Sequence, residues 1–243
     1  MTTTSMLLGL GVTLHPAHDD ARRHELARLA VRLGYREVWL AAPAVPLVTD
    51  LAALAEAAAP AALGLAVPDL TAEAAEALHA AFPDLLLGAD RPDSAVTAAA
   101  PGRVRHRFAG RVEAGAGGVV VDAETREELA RLVAAAVAAR TAAGLTPAAC
   151  PVVAEVPVAI GRTMQEAEAR AARDPRFARD RQVRDRGLFG TYEHGQEQVL
   201  ALARAGADLL LVTLADELDV ADLLAQVRAL VVGATPVLHA RTS

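Results

Sequence analysis

An alternation along the chain constrains its fold most. Short apolar runs lie at 6–14, 37–40, 63–67, 84–88, 103–108, 118–122, 152–160 and 208–213. Strands this short, apolar and uninterrupted suit a parallel sheet covered by helices. The stretches between them carry helical periodicity. Leu26, Leu29, Ala30 and Leu33 share one face, and Gly34 supplies a stop. Thr125 with Glu128, and Thr163 with Glu166, have capping-box spacing. A stripe of Leu129, Leu132, Val133, Ala136 and Val137 ends at Gly144. The last stripe, Val220, Leu223, Leu224, Val227 and Leu230, ends at Gly233. Repeated βα units either close into a barrel or open into a doubly wound sheet. Eight units in 243 residues fit a (β/α)₈ barrel, which typically needs about 250. The expectation is therefore an α/β chain, 1–243, forming one barrel domain. The run at 103–108 is its weakest strand.

Composition narrows the chemistry. All 24 basic residues are arginines; lysine and asparagine are absent, and alanine occurs 58 times. Without lysine there is no Schiff-base nucleophile, no Walker-type phosphate lysine and no lysine base. Arginine stays protonated and cannot fill those roles. A net charge of −6 argues against a general nucleic-acid binder. The lone Cys150 excludes an intrachain disulfide and a cysteine zinc cluster. No metal-ligand spacing occurs. The N-terminus lacks a basic region, and no long charge-free apolar segment is present, so a soluble cytoplasmic protein is expected.

Barrel chemistry sits at strand carboxyl ends. His15 either faces the mouth as an acid/base or substrate-contacting group, or belongs with His18 to a capping loop with Asp19 or Asp20 as N-cap. Asp90 and Arg91 follow the fourth strand, as a structural pair or as an anion site. Arg105 and Arg107 fall on one face of the fifth strand and His106 on the other; an inward pair of cations needs an anion or acids. Asp122 precedes a helix start and suits its dipole. Glu155 lies mid-strand, where a carboxylate needs an arginine partner or a raised pKa. Gly161, Arg162 and Thr163 open a helix whose N–H groups suit a phosphate, or simply start that helix. Thr213 ends the last strand and points to the mouth. Trp39, mid-strand, reads as core. The segment 162–186 holds eight arginines, with Asp174-Pro175 interrupting any straight helix. It is either a solvated excursion, or a lid or an anion-binding segment after the seventh strand. The apolar face of the final helix serves the core or a homodimer.

Three segments resemble the bacterial-luciferase-like superfamily of flavin- and deazaflavin-dependent enzymes. They are 29–40, with Leu33-Gly34-Tyr35 before Val38-Trp39; 118–144, with Gly118-Val-Val-Val-Asp122; and 190–212, with Gly190-Thr191 and Ala205-Gly206-Ala207-Asp208. The resemblance implies a luciferase-like (β/α)₈ barrel, FMN or F420 as cofactor, and oxidoreductase or monooxygenase activity on a small organic molecule. It assigns the cofactor phosphate to Arg91, in Gly88-Ala89-Asp90-Arg91. Gly161, Arg162 and Thr163, at their helix start, and Thr213, at its strand end, are the further cofactor candidates by position. His15, Asp90 and Glu155 are the acid/base candidates. The chain departs from the family after its second strand, where Ala41-Ala42-Pro43 replaces a histidine or acid. A serine-rich phosphate loop is also not evident. Two other readings stay open: a cofactor-independent enzyme, and a non-catalytic partner of an active relative.

Overall fold

All eight apolar runs form strands, and they pair side by side in parallel. The computed structural model describes residues 8–15, 18–42, 45–46, 48–90, 93–112, 114–123, 125–174, 177, 187–213 and 220–239. The elements begin β1 (Gly9–Leu14), α1 (Asp20–Arg32), β2 (Glu37–Ala41), α2 (Val48–Ala58), β3 (Ala62–Ala66), α3 (Ala72–Ala81), β4 (Leu86–Ala89) and α4 (Ser94–Ala99). They continue with β5 (Val104–Arg107), β6 (Gly118–Val121), α5 (Arg126–Ala142), β7 (Val152–Gly161) and α6 (Met164–Arg173). The last are β8 (Leu188–Thr191), α7 (Tyr192–Ala205), β9 (Leu209–Thr213) and α8 (Val220–His239). Strands β1 to β7 follow one another around a ring, β9 pairs with both β7 and β1, and the circle closes. This is a (β/α)₈ barrel. No helix separates β5 from β6 among the described residues.

β7 is twice as long as its neighbours. Its first half pairs with β9 as far as Pro157 and Thr213. Its second half, Val158 to Gly161, pairs with β8, a ninth strand outside the ring that the sequence did not announce. One side of the barrel thus rises above the end of β9. Gln198 of α7 ties down β8: its Oε1 accepts from Phe189 N at 3.2 Å and its Nε2 donates to Phe189 O at 3.3 Å.

Local chemistry explains the helix ends. Asp19 is the N-cap of α1, accepting from Arg22 N at 2.7 Å. Both capping-box threonines work as expected, each accepting the N–H three residues on at 3.2 Å. Gly34 and Gly144 adopt the left-handed conformation that lets α1 and α5 stop. Gly233 does not end α8, which runs on to His239. Its missing side chain serves packing instead, since a Cβ there would sit 3.2 Å from Gln196 Nε2 of α7. α6 ends at Arg173, and Asp174 before the proline is extended. Arg170 of α6 is not solvated. It is buried and reaches Ile160 O, Gln226 Oε1 and Asp222 Oδ2 at 2.6, 2.6 and 2.9 Å, fastening α6 to α8.

The apolar core divides into two layers. Outward-facing strand residues such as Val12, Leu40, Leu65 and Leu87 pack against helix residues such as Leu26, Leu51 and Leu129. The α8 stripe is buried in this shell too, from Val220 to Leu230. Fully burying each such side chain contributes roughly 1.5–3 kcal/mol. The barrel interior is a separate, smaller cluster of Trp39, Leu86, Val153, Leu209 and Leu211. The shell carries the fold, which frees the interior to hold polar groups.

Candidate active site

The interior positions alternate along each strand, and many are glycine. Gly11, Gly64, Gly88 and Gly118 leave room that larger side chains take. Trp39 is the largest of these. A Cβ on Gly64 would lie 2.3 Å from Trp39 Cδ2, so only glycine permits the indole to lie there. The indole N–H donates to Glu37 Oε2 at 2.9 Å. Arg105 grips the same carboxylate with both terminal nitrogens, each at 2.5 Å, and its guanidinium carbon is 5.5 Å from the Trp39 ring centre. Both charged groups are buried. Trp39, Glu37 and Arg105 therefore form one plug across the barrel.

Above the plug, at the strand carboxyl ends, opens a cavity of about 430 Å³. Its floor includes Trp39 and Leu211. One wall, from β2 and β3, is apolar: Ala41, Ala42, Ala66, Val67 and Pro68. The opposite wall is charged, with Asp90, Arg107 and Glu155. Arg107 is the centre of that wall. Its Nε is 3.4 Å from Asp90 Oδ1, and its Nη1 is 3.2 Å from both Asp122 Oδ2 and Glu155 Oε2. Burial works to lower the Arg107 pKa, but Glu155, then Asp122 and Asp90, outweigh it and raise the value above the ordinary arginine range. Arg107 is thus a permanent cation held among carboxylates of Glu155 within β7 and of Asp90 and Asp122 just after β4 and β6.

Two of the residues expected at the mouth are brought together here, Asp90 and Glu155. Glu155 does find an arginine, Arg107, from two strands away. Arg105 and Arg107 share the inward face as alternation requires, and both meet acids. His106 points outward, buried, with Nε2 2.6 Å from Thr97 Oγ1, whose hydroxyl donates to Asp93 O at 2.8 Å. Asp122 does more than favour a helix start, because it joins the Arg107 group and also accepts from Ala123 N. His15 follows β1 with its ring centre 6.0 Å from that of His18, and it is not among the residues lining the cavity. Thr213 pairs in register with Thr13, and of the two Thr13 lines the cavity. Gly161, Arg162 and Thr163 lie at the raised end of β7, outside that lining. Glu166 Oε2 accepts from Arg162 N at 2.9 Å, so the protein's own carboxylate already caps the α6 N-terminus. Arg91 lies outside the described residues. Cys150 is buried away from the mouth, and burial raises its thiol pKa.

Sequence reading missed Thr13, and it placed Trp39 and Glu37 in no site. Trp39 is core, as expected, and it is also the cavity floor. Among the described residues no group of histidine, cysteine or acidic side chains has metal-site geometry. None of the described helices is long and apolar enough to cross a membrane.

No protein-family model matches the chain, and a search of curated proteins finds no match. Solved structures do match in fold. The F420-dependent tetrahydromethanopterin reductase of Methanopyrus kandleri is 12% identical with a TM-score of 0.71, over 93% of this chain and 99% of that one. The oxygenating constituent of 3,6-diketocamphane monooxygenase from Pseudomonas putida, solved with FMN, is 13% identical with a TM-score of 0.67, over 93% and 98%. A monooxygenase from Streptomyces bottropensis is 16% identical with a TM-score of 0.66, over 96% and 100%. The barrel expected from the luciferase-like resemblance is the barrel observed.

Proposed function

We propose that the protein is a flavin- or deazaflavin-dependent oxidoreductase of the luciferase-like type, acting on a small organic molecule in the barrel mouth. The observation that carries this reading is the cavity itself. It stands where barrel enzymes do their chemistry. Its volume falls within the range of about 300–1,000 Å³ common for small-molecule pockets. The fold is shared over nearly the whole chain with enzymes described as F420-dependent or solved with FMN.

The described residues fit the ring of such a cofactor. Ala41, Ala42, Ala66, Val67 and Pro68 offer a flat apolar wall, and Trp39 closes the bottom. For the phosphate end, the family resemblance assigns Arg91, which lies outside the described residues. A bound flavin or deazaflavin would supply the redox chemistry, and the chain supplies binding, orientation and electrostatics. Asp90 and Glu155 are placed to hold or move a proton on a ligand at the charged wall, and Arg107 orients both. The absorbance spectrum and mass spectrum of whatever co-purifies, followed by equilibrium dialysis against FMN, FAD and F420, test the reading. Retention of one of them supports it, and no binding to any overturns it.

A second reading rests on the same wall. Two carboxylates on either side of one arginine suit acid/base catalysis without a redox cofactor. Turnover by cofactor-free protein that disappears in Glu155→Gln would favour it.

A further inference from the structure

The two walls of the cavity differ in chemistry, and the difference selects a ligand class. This inference rests on the mouth being the ligand site and adds what that ligand must look like. The β2–β3 wall has no charged side chain among its described lining residues. Along the β4–β7 wall, the charges are already matched into groups. The two arginines that line the cavity are both committed to carboxylates. Arg105 is locked to Glu37 by two contacts of 2.5 Å and is buried beside the Trp39 ring. Arg107 has carboxylate oxygens at 3.2, 3.2 and 3.4 Å. An incoming anion would have to displace one of these carboxylates and then remain beside the others, so like charges oppose it. A hydroxyl, amide or amine meets the reverse situation, because carboxylate oxygens have lone pairs to accept its protons.

We infer that the mouth takes a small amphipathic substrate whose apolar body packs over Leu211 and Val120, beside the wall that takes the cofactor ring, and whose polar head, uncharged or cationic, donates hydrogen bonds to Asp90 and Glu155. Carboxylate- and phosphate-headed molecules are excluded from this part of the site.

Three probes of one shape separate the possibilities: 1-adamantanemethanol, 1-adamantanemethylamine and 1-adamantanecarboxylate. Trp39 is the sole tryptophan and lines the cavity, so its emission reports occupancy. The expected result is saturable binding of the alcohol and the amine, with the carboxylate at least tenfold weaker. Arg107→Gln should then widen the amine-over-carboxylate ratio at least threefold, since it removes the only cation of the charged wall that faces the acids among the described residues. Equal or tighter binding of the carboxylate overturns the inference, as does a narrowed ratio in the variant. Failure of all three probes to bind also overturns it, while leaving the cofactor reading to the dialysis with FMN, FAD and F420.

Discussion

Arg105 and Arg107 stand two residues apart on one strand, face the same way, and have different jobs. Arg105 is sealed in the barrel, bound to one carboxylate and pressed against an indole. Arg107 lies one layer higher, where its side chain is 42% exposed and shared among three acids. The lower pair is dry, and its charges have no substitute partners if one is removed. The upper group is wet, and water can replace any member. Depth alone turns the same residue type from a structural bolt into a rearrangeable site element.

The largest expected effect comes from breaking the dry pair. Arg105→Met leaves Glu37 charged and buried, and should cost about 3–5 kcal/mol in urea unfolding. Adding Glu37→Leu should recover part of that loss, because the unpaired buried charge is gone although the Trp39 N–H loses its acceptor. A double variant no more stable than the single would show that the pair is not coupled. Gly64→Ala comes next. Its methyl would intrude on Trp39, and overpacking of this kind costs about 1–3 kcal/mol; Trp39 emission should shift at the same time. Arg107→Gln should change stability by no more than about 1 kcal/mol, the usual limit for exposed ion pairs. A loss as large as that of Arg105→Met would erase the contrast between the layers. Acidity should not distinguish the two through Arg107 itself. A raised folded-state pKa gives stability that is fully present below the ordinary arginine value and lost only as pH rises through the raised one. Unfolding curves of wild type and Arg107→Gln should therefore keep a constant separation from neutral to mildly alkaline pH. Smallest of all, Cys150 should resist thiol reagents at neutral pH until the protein unfolds, since burial disfavours its thiolate.

Much of the barrel was legible because its signals are local. Each strand is a short apolar run, and each helix carries its own stripe and cap. Alternation alone put Arg105 and Arg107 on one face and predicted that they need acids. It did not say which acids. Glu37 lies 68 residues from Arg105 and meets it only because the barrel closes around a glycine-lined interior. The Asp122 and Asp90 contacts with Arg107 depend likewise on strand stagger, which no local pattern encodes. β8 was not legible, because Leu188 to Thr191 is too short to show a period and forms only by borrowing the overhang of β7. Gly233 looked like a stop and is a contact, since both roles need the same missing side chain. Two of the three expected acid/base candidates, Asp90 and Glu155 without His15, share a cavity wall because both sit at inward positions on the same side of the barrel mouth as Arg107.

Trp39 offers the most direct test of the central claim, that the mouth above the plug is a cofactor-bearing ligand site. FMN and F420 should each be titrated into the protein while the emission of this single tryptophan is followed. Saturable quenching by at least one of them is expected, weakened when Ala66→Phe fills the apolar wall. Unchanged Trp39 emission in folded wild-type protein with both cofactors, or quenching that Ala66→Phe leaves untouched, would contradict it.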